Sequence, residues 1–551
     1  MNTCTTAPDV SPDLDVLLVG LGPVGAALAN LLGRYGVRVL AIDRATEVFA
    51  KPRAIALDNE ALRILQLIGL QEEDFPKVVI PQVKYHSPLF GCFARIDTAR
   101  MIDGHPMLVT FCQPQLEAAL RSRLAQYPNV EVQLGVALEN FFDGGSHVEV
   151  TLKHGDELRH IRTRYLIGAD GAGSLVRRSL DLDFQGHTFG QDWLIVDALD
   201  VPTPIDHVEF LCDPRRPTPH MVAPGGRQRW EFMLHAGEQA SEMEEPERVR
   251  ALLEPWCKTE DIRIERTAVY RFHAREARRF SRGRCFLVGD AAHVTPPFAG
   301  QGLVAGLRDT ANLAWKIAGV VRGQLNEQVL DSYDTERRPH ARKIINLARF
   351  LGKLVMPRNR FAAFAIHGTI RAMRMLPAGR AIFDDLKIKP PQVFDRGLFW
   401  RDRKRRKLLA GSMLPQCWIR TNATTDPVLS DDALGLQWSL IGFGVDPAEH
   451  LDVRLLARWS CLGGMTWQWC QGGDARHMTP KERRLVAMDE VGLPQLPPKG
   501  WVAIVRPDRC VMAEGPCAEV EPMLRRALKM LEPMPSIDAR TEPDHRAVNP
   551  S

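Results

Sequence analysis

The spacing of apolar residues along this chain changes period several times, and each change marks an element. Asp15–Asp43 reads DVLLVGLGPVGAALANLLGRYGVRVLAID. A short apolar run, a glycine turn, apolar positions at helical spacing and a second run predict strand, helix and strand. Further strands are predicted at Val130–Leu134, Val148–Leu152 and Tyr165–Ala169. From Asp192 to Glu238 the pattern shortens to the β-like runs Leu194–Leu199 and Arg229–Leu234, set between Pro- and Gly-rich turns. That predicts a separate, mostly antiparallel sheet layer. Gly283–Lys316 (GRCFLVGDAAHVTPPFAGQGLVAGLRDTANLAWK) predicts a buried strand at Cys285–Val288, a Gly-Asp pair, a Pro/Gly-rich loop and a helix from Gly302 to about Arg322. Another helix covers Tyr333–Leu354.

A boundary is expected at Pro390–Lys407, where Pro-Pro and charge cluster. Beyond it come strands at Trp438–Phe443 and Trp501–Arg506 and a last helix at Val520–Met530. The expected fold class is therefore α/β with an α+β sheet layer. A discontinuous α/β domain takes 1–190 and 281–395, a β-sheet domain is inserted at 191–280, and a small α/β unit fills 396–551.

Composition narrows the function. The 551 residues suffice for two to four domains. A formal net charge of +4 and 25% charged residues are ordinary for a globular chain and call for no particular partner. No basic stripe with interleaved aromatics is present, so nucleic acid is not expected. The densest basic run, Arg401–Lys407 (RDRKRRK), reads as a solvated linker face. The 11 cysteines are odd in number, include no CxxC and have no zinc-like spacing with histidine, so no metal is expected. They read as reduced thiols of a cytoplasmic protein. The apolar stretch Val16–Leu32 has an acidic flank (Asp9, Asp13, Asp15) and is broken by Gly-x-Gly-Pro, so no membrane segment is expected.

Candidate chemistry begins with Gly20, Gly22 and Gly25, a G-x-G-x-x-G directly after a strand and at a helix start. Such glycines give a tight turn, close approach to a pyrophosphate and helix–strand packing. Asp43, followed by Arg44, ends the next strand, where a carboxylate can accept ribose hydroxyls. The motif alone does not separate FAD from NAD, and its plainer reading is a tight βα turn. Three further segments bear on this choice. Lys51–Leu70 places Arg53 in a Pro-Arg-Ala turn before a helix. Gly168–Arg177 (GADGAGSLVR) ends a strand in Asp170-Gly171. The third has Asp290 at a strand end and Gly300, Gln301 and Gly302 at a helix start. Two glycine-rich elements some 260 residues apart suit one large cofactor gripped at both ends.

In this order the motifs resemble the FAD-dependent, single-component aromatic-ring hydroxylases, the group typified by p-hydroxybenzoate and phenol hydroxylases. The resemblance covers about Asp15–Leu354. Within the group, PRAIALDNEALR (Pro52–Arg63), FCQPQLE (Phe111–Glu117), LCDPRRP (Leu211–Pro217), RWEFM (Arg229–Met233) and RDTANLAWK (Arg308–Lys316) look most like the hydroxylases of 3-(3-hydroxyphenyl)propionate and 3-hydroxycinnamate. GSMLPQ (Gly411–Gln416) and VAIVRPDR (Val502–Arg509) look similar to a thioredoxin-like tail without redox cysteines.

The resemblance implies FAD as cofactor, NADH or NADPH as electron donor, and O2 and a small phenolic acid as substrates, with oxygen entering ortho to the phenolic hydroxyl. A homodimer is compatible with it. It implies that Gly20, Gly22 and Gly25 hold the pyrophosphate, with Asp43 and Arg44 at the adenosine ribose. Arg53 and Gln113 would face the flavin or its ribityl chain, and Asp290 would take the ribityl or diphosphate. Gly300, Gly302 and Leu303 would meet the pyrimidine edge through backbone N–H groups, Asp170 would lie near the nicotinamide donor, and Pro297 would lie beside the oxygen-transfer centre. A phenol base is expected, with His220 and His293 as candidates. A cation for the carboxylate is expected from Arg229 or Arg215. Each of these four also has a plain structural or surface reading. Leu303-Val304-Ala305 follows Gly302, where many relatives carry a polar triplet. A halogenase or epoxidase of the same fold, a nicotinamide dehydrogenase and a non-catalytic flavin binder are the competing classes.

Overall fold

The computed structural model describes residues 12–49, 54–258, 262–376, 390–402, 407–421, 424–470, 484–487 and 496–533. Its first layer is a sheet in the strand order Val130–Leu134, Val39–Asp43, Leu14–Val19, Glu157–Gly168, Val148–His154 and Val136–Asp143. The first four run parallel, and Cys285–Leu287 adds to the C-terminal end of Glu157–Gly168 in the same sense. Val148–His154 pairs antiparallel against the N-terminal half of Glu157–Gly168, and Val136–Asp143 pairs antiparallel with Val148–His154. That long strand therefore serves both patterns, which is why the sequence shows only its buried end, Tyr165–Gly168, as an apolar run.

Continuous burial of Val16, Leu17 and Leu18 requires helices on both faces of the parallel part. The helix Pro23–Arg34 starts with proline, whose missing N–H costs nothing in a first turn, and buries Ala26–Leu32. The helix Gly302–Val321 is buried along nearly its whole length and packs against it. Asp331–Val355 follows as one 25-residue helix.

The second layer is an eight-stranded sheet in the order His293–Val294, Arg263–Ala277, Phe184–Leu199, Arg227–Met233, Thr218–Ala223, Val208–Leu211, Gln82–Ser87 and Gly91–Asp97. It is antiparallel except where Val208–Leu211 runs parallel to Gln82–Ser87. The layer thus draws strands from well outside 191–280. The hairpin Gln82–Asp97 is polar and half-buried by turns, and only its pairing with a strand some 120 residues later brings it here.

The third sheet belongs to the C-terminal unit. Trp438–Phe443 runs parallel to Gly464–Cys470 with the helix Val453–Cys461 between them. Trp501–Val505 and Val511–Pro516 then add antiparallel strands before the helix Val520–Leu531. Trp315 meets Trp438 edge-on at 5.1 Å, so this unit shares a core with the first layer. Arg401 is not a purely solvated residue: its guanidinium donates to the carbonyls of Ala410 (2.8 Å) and Phe394 (2.5 Å). Residues 403–406 of the basic run lie outside the described residues. Among the described residues no disulfide is formed, and no helix is long and apolar enough to cross a membrane.

Candidate active site

A single cleft of about 1390 Å³ runs from Gly20–Gly25 and Asp43 at one end to the face of the second sheet at the other. At the first end Gly20 takes φ +99°, and a Cβ there would lie 2.5 Å from the Ala169 carbonyl oxygen. A Cβ on Gly25 would lie 2.0 Å from the Gly20 carbonyl oxygen. Both positions must be glycine for the turn to close against the helix. Gly22 differs: a Cβ on it would meet nothing within 4 Å, because it faces the open cleft. The N-terminus of the helix Pro23–Arg34 thus lines the cleft, the position from which backbone N–H groups can meet a phosphate.

Asp43 is fixed by two backbone donors, Leu21 N–H to Oδ2 and Ala45 N–H to Oδ1, each 2.8 Å. A carboxylate has roughly four acceptor sites, so it can still take a hydroxyl. Arg44 lines the same end. The sequence reading missed Glu117 and Arg121, which also line it. They pair at 2.7 Å across one helical turn, and Arg121 Nη2 lies 3.7 Å from Asp43. Their i,i+4 spacing was the available signal. Gln113 Oε1 accepts from Ala54 N–H at 3.1 Å and so pins the loop that follows residue 53. Arg53 itself lies outside the described residues.

Midway along the cleft, Asp170 caps the helix Leu175–Ser179. Its Oδ2 accepts from Leu175 N–H (2.7 Å) and Val176 N–H (3.2 Å). Its Oδ1 is buried without a hydrogen-bond partner among the described residues. Asp290, in the turn after Cys285–Leu287, lines the cleft, as do Pro297, Gly300, Gln301, Gly302 and Leu303. A buried network holds this helix start. Gln301 donates to Asp58 Oδ2 (3.0 Å), and Arg308 donates to Gln301 Oε1 (3.1 Å) and Glu60 Oε2 (2.7 Å). Val304 and Ala305 are fully buried and do not line the cleft, so of the Leu-Val-Ala triplet only Leu303 faces it.

The far end is apolar. Tyr85 and Phe210 stack at 5.0 Å and 9° on the second sheet, beside Met221, Phe272 and Phe298. The expected substrate groups are not here. His220 lies on the opposite face of the sheet, stacked on Trp230 at 4.4 Å, with Nδ1 3.2 Å from Glu209 Oε1. Its neighbours Pro219 and Met221 line the cleft, because alternate residues of a strand face opposite ways. His293 is buried with Nε2 2.7 Å from Asp309 Oδ2. Arg215 is exposed and bonded to Asp213 at 2.7 Å. Arg229 is on the cleft side but buried below it, bonded to Asp197 at 2.6 and 3.0 Å. The group that does reach the cleft from this strand is Glu231, which the sequence reading passed over. Burial pushes its carboxyl up to about 7, although Arg229 pulls the other way.

A cradle with two helix N-termini, a strand-end carboxylate and an adjoining apolar chamber fits a flavin dinucleotide better than a nicotinamide alone. A family model described as an FAD binding domain matches residues 13–348. A second, described as the HcaD C-terminal domain, matches 411–530. The 3-(3-hydroxy-phenyl)propionate/3-hydroxycinnamic acid hydroxylase of Klebsiella pneumoniae (strain 342) is 33% identical over 523 residues, 92% of this chain and 94% of its own. The chain belongs to the FAD-dependent aromatic hydroxylases. The enzyme of the same name from Comamonas testosteroni is 32% identical to this hydroxylase over 94% of the chain and 97% of its own. Among solved structures, the flavin-dependent monooxygenase PieE, in complex with FAD and substrate, shares the hydroxylase's fold. Its TM-score is 0.75 at 20% identity, over 95% of this chain and all of its own. The p-nitrophenol 4-monooxygenase PnpA of Pseudomonas putida DLL-E4 matches 68% of this chain and 95% of its own, at 25% identity and a TM-score of 0.61.

Proposed function

We propose that this hydroxylase adds oxygen ortho to the hydroxyl of 3-(3-hydroxyphenyl)propionate to give the 2,3-dihydroxy product, and that it also accepts 3-hydroxycinnamate. The observation that carries the reading is the continuity of the cleft: a dinucleotide cradle opens directly onto an aromatic-walled chamber. Relatives that match over nine-tenths of the chain and are named as hydroxylases of these two acids supply the substrate class. The reaction balances as phenol, O2, NAD(P)H and a proton going to catechol, water and NAD(P)+. When bound, FAD supplies hydride acceptance and dioxygen activation.

The chain's own residues bind, orient and exclude water. Gly20, Gly22 and Gly25 receive the pyrophosphate, and Asp43 and Arg44 receive the adenosine ribose, with Glu117 and Arg121 beside them. Asp290 takes ribityl hydroxyls. The N–H groups at Gly302 and Leu303 face the pyrimidine edge, where a helix N-terminus favours negative charge. Pro297 edges the reactive face, and Asp170 lies towards the nicotinamide. Arg271, on the cleft wall and bonded to Asp192 at 2.7 Å, is better placed than Arg215 or Arg229 to meet a substrate carboxylate. Within the C-terminal unit, the parallel pair Trp438–Phe443 and Gly464–Cys470 joined through a helix, with the antiparallel pair Trp501–Val505 and Val511–Pro516 and a last helix, supports a thioredoxin-like tail with a structural role.

The test is a panel of phenols with and without a carboxylate tail, scored by catechol formation and O2 uptake with NADH and with NADPH. Coupled turnover on 3-hydroxyphenyl acids supports the reading. Coupled turnover confined to phenols without a carboxylate reassigns the substrate, and protein that cannot be loaded with FAD overturns it.

A further inference from the structure

We propose that Glu231 takes the proton of the substrate's phenolic hydroxyl. The inference rests on the reading that the substrate is a phenol, and it begins from the weave of the second sheet. Phe210 pairs with both Tyr85 and Pro219. His220 pairs with Trp230, so Glu231 falls opposite Pro219, with Ile195 on its other side. Tyr85, Phe210, Pro219 and Glu231 therefore form one row across the sheet, and all four line the cleft. Apart from the Tyr85 hydroxyl, the row is apolar up to its last member, Glu231. The cleft's other carboxylates, such as Asp43, Asp170 and Asp290, come from the dinucleotide-binding layer. Among the described residues, Glu231 is the carboxylate supplied by the sheet wall on which an aromatic ring would lie.

Its surroundings leave it available. The residue is 5% exposed, and among the described residues its carboxylate makes no hydrogen bond or ion pair. What little of it is exposed opens onto the cleft, so a group entering the site is placed to meet its carboxylate. The charged groups that face it are Arg229 on its own strand, Asp197 on the next, and Arg266 on the one beyond. Both arginines are spent on Asp197, Arg229 at 2.6 Å and Arg266 at 2.8 Å. The strand on the other side presents Pro219 and Met221. Burial thus dominates, and a carboxyl raised to about 7 is matched to general-base work near neutral pH.

The step is a proton transfer. The phenolic O–H bond breaks, its electron pair stays on oxygen, and the proton goes to a Glu231 carboxylate oxygen. The ring then carries more electron density at the ortho carbon. After oxygen transfer that carbon releases its own hydrogen to solvent as a proton, and Glu231 returns its proton to the product oxygen.

The test uses FAD-loaded enzyme with 3-(3-hydroxyphenyl)propionate, and 3-(3-methoxyphenyl)propionate as the ligand without the proton. Glu231→Gln is expected to keep FAD binding and wild-type affinity for the methoxy ligand while losing about 100-fold in coupled hydroxylation. The wild-type rate should fall as pH drops through about 7, and Glu231→Gln should lose that ionisation. Glu231→Asp should restore part of the rate and keep an ionisation, which separates chemistry from a packing role. A wild type active on phenols whose rate and pH profile survive Glu231→Gln overturns this assignment alone. A wild type that hydroxylates no phenol overturns the assignment and the substrate reading together.

Discussion

Arg506 donates two hydrogen bonds, of 2.7 and 2.9 Å, to the carboxylate of Glu336, 170 positions earlier in the chain. Both side chains are fully buried. Lys316, on the helix that starts at the cleft, adds a third contact to Glu336 at 2.9 Å, and Asn312 a fourth at 2.7 Å. The C-terminal unit is thus tied to the helix whose N-terminus lines the cleft.

Breaking this pair is expected to be costly. Burial by itself would raise the Glu336 carboxyl, but Arg506 and Lys316 outweigh it and hold it well below the usual carboxylate range. Glu336→Gln leaves a buried guanidinium half-paired, which costs about 3–5 kcal/mol. The sign with pH follows from the depressed folded-state value. The ionised form stabilises the fold fully above the ordinary carboxyl value of 4.5, and that contribution fades as pH falls below it. The gap in melting temperature between wild type and Glu336→Gln should be wide at about pH 7 and narrower at about pH 3.5. A gap that is the same at both would show that the charge is not what stabilises this contact.

Gly22 and Gly25 are expected to fail in different ways. A methyl on Gly25 collides with the Gly20 carbonyl, whereas a methyl on Gly22 enters open cleft. Gly25→Ala should lower the melting temperature of cofactor-free protein. Gly22→Ala should leave it unchanged and weaken FAD binding by about tenfold or more, equivalent to ~1.4 kcal/mol. Thermal melts of the apoprotein with flavin-fluorescence titrations separate the two. Equal losses of stability would mean that Gly22, too, is a packing position.

What could be read from the sequence follows the range of the contacts. Gly20, Gly22, Gly25 and Asp43 lie within one strand–helix–strand unit, and local period places them. The wall of the chamber depends on pairings between remote strands, Val208–Leu211 with Gln82–Ser87 above all, and no local pattern reports a parallel register. Face assignment is equally fragile. His220 and Glu231 sit on neighbouring strands, yet a period of two sends the histidine to Trp230 and the glutamate to the cleft. Arg229 was correctly placed in the sheet layer, but its partner Asp197 comes from another strand, and only that partner shows the arginine to be already engaged. The tethers from Arg506 to Glu336 and from Arg63 to Asp431 join residues 170 and 368 positions apart and leave no trace in composition or spacing.

Asp43→Asn tests the adenosine end. Both carboxylate oxygens accept backbone N–H groups, from Leu21 and Ala45. An amide has one acceptor oxygen and must turn an NH2 towards one of these donors. The strand end would then be misplaced as well as neutral. Hydrogen bonds to charged groups contribute roughly 1.5–3 kcal/mol, so FAD affinity should fall by about 10- to 100-fold. The apoprotein should lose some thermal stability too. Unchanged affinity, measured by titrating apoprotein with FAD, would move the ribose elsewhere.

Phe210→Ala tests the substrate wall without touching the cofactor cradle. Phe210 stacks on Tyr85 at 5.0 Å and lines the cleft on the sheet side. Removing it takes away one face of the surface on which an aromatic substrate would lie and leaves Tyr85 unsupported. Aromatic pairs contribute about 0.5–1.5 kcal/mol beyond their buried area, so KM should rise at least ~3- to 10-fold. FAD content should stay at the wild-type level, because the residues around Gly20, Asp43 and Gly302 are untouched. Substrate held less firmly also reacts less often, so a larger share of NADH oxidation should end in hydrogen peroxide than in catechol. Parallel measurements of KM, flavin content and the peroxide-to-catechol ratio check each point. A variant with lowered flavin content and unchanged KM would place Phe210 at the cofactor instead of at the substrate.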